Sequence, residues 1–275
     1  MQRISILLLA ACSAIFSIFA QNPSEEYLSL VEQADKAISE MKWDEAARHL
    51  NEAMRLEPSN PSNVLLMSNL GMMHFYAGRD SLALETLSTA SRIAPASVTV
   101  LQNRARVLSA MGRLAEAHQD YTKTIGLDST LVDPRFYRAM IRLQSGDAEN
   151  CAADIEFMKR NFAGQKQTLI AESTFLTYTG RYSEAVPILT ALIEEHPDAD
   201  CYSNRALCYL MTDMLPEAAA DIAGGLELDP INGELFLYRA LLNKMRYRPD
   251  DAKADAEKAR LYGVGAARIK ALGLQ

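Results

Sequence analysis

Four arginines each stand sixteen residues ahead of an aspartate: Arg104 and Asp120, Arg138 and Asp154, Arg205 and Asp221, Arg239 and Asp255. Opposite charges at a fixed spacing can form ion pairs, or can hold a charged ligand. The other reactive side chains are scattered. His49, His74, His118 and His196 form no HExxH pair. Cys201 and Cys208, if on one helix, lie roughly 10 Å apart, too far for a disulfide. With Cys151 they are expected to be small buried thiols, and neither a zinc set nor a Cys–His nucleophile is expected. The chain holds no GxxxxGK[ST] loop and no GxGxxG after a strand. No cofactor and no metal are therefore expected, and the chain is not expected to be an enzyme.

The elements that must position the charged pairs are helical throughout, so the expected fold class is all-α. A 34-residue period divides the chain into seven units: 27–60, 64–97, 98–131, 132–165, 166–198, 199–232 and 233–266, the fifth one residue short. It is clearest in "LGMMHFYAGRDSLALETLSTASRIAP", "RARVLSAMGRLAEAHQDYTKTIGLD" and "RALCYLMTDMLPEAAADIAGGLELDP". The eighth place reads Ala34, Gly71, Ala105, Ala139, Ser173, Ala206 and Ala240; the twentieth reads Ala46, Ala83, Ala117, Cys151, Ala185, Ala218 and Ala252. Small residues at both places let two antiparallel helices approach closely. Pro58, Pro95, Pro197 and Pro230 are expected to stop second helices, and Pro216 and Pro249 to start them.

On this ruler the arginines hold the seventh place and the aspartates the twenty-third, and the two types occur together. The other three units carry Gln33 with His49, Leu70 with Thr86, and Glu172 with Ile188. Pairing within a hairpin explains all four arginines. Pairing to the next unit would leave Arg104 and Arg205 opposite Thr86 and Ile188. A structural bridge is therefore expected, with ligand contact as the lesser reading. An aspartate outside the columns, such as Asp198, is expected to be exposed and to matter less. The fourth unit departs most, with Arg135 and Arg142 at places usually apolar, and "KRNFAGQKQ" after it is a candidate joint. Residues 267–275 are expected to cap the last apolar face.

The period, the paired small residues and the closing prolines resemble the tetratricopeptide repeat family over residues 27–266. The resemblance implies a right-handed superhelical solenoid of antiparallel helix hairpins. It also implies a concave groove lined by first helices, binding a protein or peptide partner. The family's lining places give Met72, Phe75, Tyr76, Arg106, Phe136, Met140, Ile170, Leu207, Leu210, Met211, Leu241 and Met245. Packing between neighbouring first helices competes for the same positions. "NRALCYL" is similar to repeats of co-chaperones that clamp a terminal carboxylate between an asparagine and flanking cations. Here Asn204 is flanked by Ile170 and Glu234, Asn69 by Val31 and Thr99, and Asn103 by Ser68 and Asp133. Without the cations, no such clamp is expected.

The first twenty residues, "MQRISILLLAACSAIFSIFA", combine a basic start, an apolar run and a small terminal residue. They read as a signal peptide cleaved after Ala20, with lipidation on Cys12 or an uncleaved anchor as other possibilities. The rest, from residue 21 on, contains no membrane-spanning stretch. The expected location is outside the cytoplasm, periplasmic or secreted. A formal net charge of −7 argues against a nucleic-acid partner. The expected function is a non-catalytic scaffold or adaptor for a partner protein. The other readings are a structural subunit of an envelope complex, binding through its convex face or ends, and a glycan-binding accessory using Tyr76, Tyr178, Tyr202 and Tyr238.

Overall fold

The structure, a computed structural model, describes residues 23–274, so the expected signal peptide and Cys12 lie outside the described residues. Among the described residues the regular elements are all helices. Fourteen of them form seven hairpins: α1 (Glu25–Ser39) with α2 (Trp43–Leu56), α3 (Asn63–Tyr76) with α4 (Asp80–Ile93), and α5 (Val98–Ala110) with α6 (Leu114–Leu127); then α7 (Val132–Gln144) with α8 (Ala148–Asn161), α9 (Lys166–Tyr178) with α10 (Tyr182–Glu195), α11 (Ala199–Met211) with α12 (Leu215–Leu228), and α13 (Gly233–Met245) with α14 (Pro249–Leu261). A short α15 (Ala266–Ala271) follows.

One turn design joins the two helices of every hairpin. The residue at the fifteenth place has a positive φ in all seven: Met41, Gly78, Gly112, Gly146, Gly180, Asp213 and Tyr247. The next residue's N–H then reaches back five residues to a first-helix carbonyl, as in Lys42 to Ala37, Asp147 to Arg142 and Arg248 to Asn243, at 2.8–2.9 Å. This left-handed closure satisfies carbonyls that a helix end would otherwise leave bare. Glycine adopts it without strain in four hairpins; three carry a side chain there instead.

Close helix approach follows from the small-residue columns. Every eighth-place and twentieth-place residue is buried. At Gly71 the fit is so tight that an added β-carbon would sit 2.5 Å from Leu87 Cγ. The larger twenty-fourth-place residues fill the space beside these contacts: Leu50, Leu87, Tyr121, Ile155, Leu189 and Ile222 are all buried. Each fully buried Leu or Ile contributes about 1.5–3 kcal/mol. Pro58, Pro95, Pro197 and Pro230 each stand two residues beyond the end of a second helix.

The chain divides into two compact units between Ser129 and Thr130. In the first, α2 packs on α3, α4 on α5, and the first helices α3 and α5 also touch. In the second, α7, α9, α11 and α13 pack side by side in that order, with α8, α10 and α12 each against the next hairpin. The joint expected at residues 159–167 falls inside this second unit. There α8 packs directly on α9, and the Thr168 hydroxyl donates to the Phe162 carbonyl at 2.9 Å. At the chain's end α15 lies on α14, burying Ile269 and Leu274 in one cluster with Leu235, Ala259 and Val264. Lys244 Nζ donates to the Leu272 carbonyl at 2.8 Å, and Arg268 contacts Glu234 and the Tyr238 hydroxyl.

Candidate interaction surface

In four hairpins an arginine of the first helix grips an aspartate of the second with two parallel hydrogen bonds. Arg104 Nε and Nη2 donate to Asp120 at 2.7 and 2.6 Å. The corresponding distances are 2.9 and 2.5 Å for Arg138 with Asp154, 2.8 and 2.7 Å for Arg205 with Asp221, and 2.9 and 2.7 Å for Arg239 with Asp255. The aspartates are buried, and the arginines are half-buried. These hydrogen bonds to aspartate raise the guanidinium pKa of Arg104, Arg205 and Arg239 further. Arg205 Nη1 also donates to Thr190 Oγ1 at 2.9 Å. In the seventh hairpin Asn243 Nδ2 adds a second donor to Asp255 at 3.0 Å, a partner that the two-column pattern does not reveal. The bridges engage both charges within the hairpin, which accounts for these arginines without a ligand.

The fifth hairpin has no bridge, and its place is partly empty. A cavity of about 220 Å³ opens between α8, α9 and α10, over Ile155, Phe175, Leu176 and Ile188. Glu172, at the arginine's place, turns instead to Lys159 of α8 at 2.7 Å.

The twelve groove candidates divide three ways. Met72 and Leu210 are buried in core clusters, Met72 with Leu87 and Val107, Leu210 with Ile222 and Leu235. Both are therefore inaccessible to a partner, because neighbouring helices cover them. Phe75, Tyr76, Phe136, Met140, Ile170, Leu207, Leu241 and Met245 are half-buried against those clusters or their neighbours. Arg106 and Met211 are exposed, Met211 at 50%. Within the second unit the packing of α7, α9, α11 and α13 brings Phe136, Met140, Ile170, Leu207, Met211, Leu241 and Met245 onto one row of adjacent first helices. In the first unit Tyr76 packs on Trp43 of the preceding hairpin, ring centroids 5.5 Å apart.

The tyrosines named for glycan binding differ in exposure. Tyr238 is buried and bonded to Arg268, and burial pushes its hydroxyl up to about 12. Tyr202 lies over Gly224, and only Tyr178 is well exposed. Cys151, Cys201 and Cys208 are buried free thiols. Burial raises Cys151 and Cys201 to about 11, so neither is a thiolate near neutral pH. Among the described residues no group of three or more His, Cys, Asp or Glu could hold a metal ion. No described helix is long and apolar enough to cross a membrane. The would-be clamp positions are occupied otherwise: Asn103 donates to Ser68 Oγ at 2.9 Å, and Glu234 pairs with Arg268.

A tetratricopeptide repeat family model matches residues 176–231. Among curated proteins, Hsp70-Hsp90 organizing protein 3 of Arabidopsis thaliana is 25% identical over 210 residues, 72% of this chain and 36% of the relative. The chain thus spans about a third of the length of the curated relatives it matches. A tetratricopeptide repeat protein from Parabacteroides merdae superposes with a TM-score of 0.75 at 25% identity, over 91% of this chain and 99% of that one. PilF of Pseudomonas aeruginosa has the same fold, with a TM-score of 0.64 at 16% identity, over 77% of this chain and 95% of that one. With seven hairpins built on one turn and one pair of small-residue columns, the described residues have the tetratricopeptide repeat fold, and residues 176–231 match that family.

Proposed function

We propose that the chain is a non-catalytic scaffold that holds a segment of a partner protein against its first helices, outside the cytoplasm. The observation that carries this reading is the row formed by α7, α9, α11 and α13, with half-buried Phe136, Met140, Leu207 and Met245 and exposed Met211. Flexible methionines and aromatics suit an adaptable apolar surface, and an amphipathic or extended segment can seat its side chains between such residues. The curated relatives' name, an organizing protein, agrees with a scaffold role. The missing cations beside Asn69, Asn103 and Asn204 argue against a terminal-carboxylate clamp as the binding mode. Export rests on the signal-like first twenty residues.

The test is affinity capture from the native host's envelope fraction with wild-type chain and with a Met140→Glu, Met211→Glu variant of unchanged helical content. A partner retained by wild type and lost by the variant supports the first-helix face. An identical set of captured proteins places binding elsewhere. Intact-mass measurement of the chain from its host should show residues 1–20 removed, whereas full-length chain in the cytosol would overturn export.

A further inference from the structure

The guanidinium of Arg205 shows what the space between three helices holds in a bridged hairpin. It reaches Asp221 of its own second helix, at the twenty-third place, and Thr190 Oγ1 of the preceding second helix, at the twenty-fifth. In the fifth hairpin the same two places belong to Ile188 and to Glu156 of α8, and both line the cavity of about 220 Å³. Glu172, at the seventh place, lines it too. The cavity of the fifth hairpin therefore stands where the sixth puts a guanidinium, with a carboxylate at the place from which the arginine would come.

The walls of the cavity suit the same group on a separate chain. Ile155, Phe175, Leu176 and Ile188 give an apolar floor on which an alkyl stem can lie. The charged lining residues are Glu156, Glu172 and Glu184 with Lys159 and Arg181. Lys159 Nζ is 2.7 Å from Glu172 and 3.3 Å from Glu156, and Arg181 donates to Glu184 at 2.7 and 2.6 Å. Three carboxylates thus share two cations, and one further cation balances the lining. Each carboxylate also has more acceptor sites than these contacts use. The mouth is open to water: Glu156, Arg181 and Glu184 are each more than half exposed, and Glu172 is 20% exposed. The volume is enough for one large side chain, since a cavity of about 150 Å³ takes benzene.

We propose that this cavity binds an arginine side chain of a partner protein, its stem over Phe175 and Ile188 and its guanidinium toward Glu156, Glu172 and Glu184. A planar guanidinium can donate along several edges to carboxylates on different sides, whereas an ammonium is a single point charge. The residues that line the cavity are not among the side chains of the proposed partner-binding row. The site can therefore fail or hold independently of the scaffold reading.

The experiment titrates N-acetyl-L-argininamide into the full chain and reads the affinity by saturation-transfer NMR. The dissociation constant should be on the order of 1 mM, as for a single side chain. N-acetyl-L-citrullinamide, the neutral isostere, should bind at least about tenfold more weakly, because charged hydrogen bonds are lost. Glu172→Gln should weaken argininamide binding by about tenfold as well. Glu194→Gln, an exposed change on α10 outside the cavity, should leave it unaltered. Equal affinities for the two isosteres overturn the proposal, as does an unaltered affinity in Glu172→Gln. Tighter binding of N-acetyl-L-leucinamide than of argininamide also overturns it, in favour of an apolar pocket. n-Butylguanidinium tests the source. An affinity like that of argininamide supports a side chain carried on a main chain, and a much tighter one overturns that source in favour of a small free guanidine. Should Glu172→Gln fail to fold, Glu184→Gln, at a side chain 57% exposed, takes its place with the same expected and overturning results.

Discussion

Arg205 and Asp221 face each other across α11 and α12 in a fork, Nε to Oδ2 at 2.8 Å and Nη2 to Oδ1 at 2.7 Å. Removing the buried carboxylate leaves a half-buried guanidinium without its partner. Asp221→Ala should therefore cost about 3–5 kcal/mol in urea unfolding, and the double change Arg205→Met, Asp221→Leu should recover most of that loss. The comparison variant is Glu257→Ala, an exposed position within α14 expected to stay within about 0.5 kcal/mol of wild type. Asp198 is unsuitable for that purpose, because it caps α11 by accepting from the Asp200 and Cys201 N–H groups. Equal losses for Asp221→Ala and Glu257→Ala would refute a stabilising bridge.

The shared turn makes a prediction about backbone strain. Tyr247 holds φ 57° while 94% exposed, so its side chain contributes little packing in return. Tyr247→Gly should stabilise the chain by about 1 kcal/mol, since the left-handed region is unfavourable for a side chain by roughly that amount. Gly146→Ala should destabilise it by about the same, although no atom lies within 4 Å of the new β-carbon. Chemical-denaturation midpoints moving the same way in both variants would contradict this account.

Two helical glycines should respond to alanine with opposite signs. At Gly71 the new carbon would sit 2.5 Å from Leu87 Cγ, forcing α3 and α4 apart at a cost of about 1–3 kcal/mol. At Gly126, in α6, there is open space, and Gly126→Ala should gain about 0.5–1 kcal/mol from helix propensity. Thermal melting of both variants checks the pair, and a stabilised Gly71→Ala would show that the hairpin is looser than described.

The buried thiols give a pH dependence of definite sign. Cys151 and Cys201 have folded pKa values raised to about 11 from an ordinary value of 9.0. Between those values the unfolded chain releases thiol protons that the folded chain keeps, so stability falls as pH rises through that window. Cys151→Ala should shallow the fall in stability between pH 9 and about 11, read from urea midpoints. It should also slow neither folding nor partner capture. Thiol reagents should label the native chain near neutral pH only as fast as it unfolds. Immediate labelling of either cysteine would contradict its burial.

By itself the sequence determined the hairpin. Sixteen residues carry the chain up a first helix, through a three-residue connection and down to the facing turn, so Arg104 and Asp120 lie at one level whatever surrounds them. The small-residue columns are legible for the same reason: two helices joined by a fixed turn meet at fixed places. Exposure was decided only by the tertiary structure. Met211 and Leu210 are neighbours on one candidate face, yet one is half exposed and the other sealed by α12 and α13. Tyr238 vanishes beneath α15, and Asp198 becomes a helix cap rather than a free charge. The convergence of Arg135 and Arg142 on a carboxylate already taken by Arg138 was likewise decided by the tertiary structure. A period specifies which residues share a level within one hairpin. Burial and charge balance depend on what the adjoining hairpins and the chain end place against them.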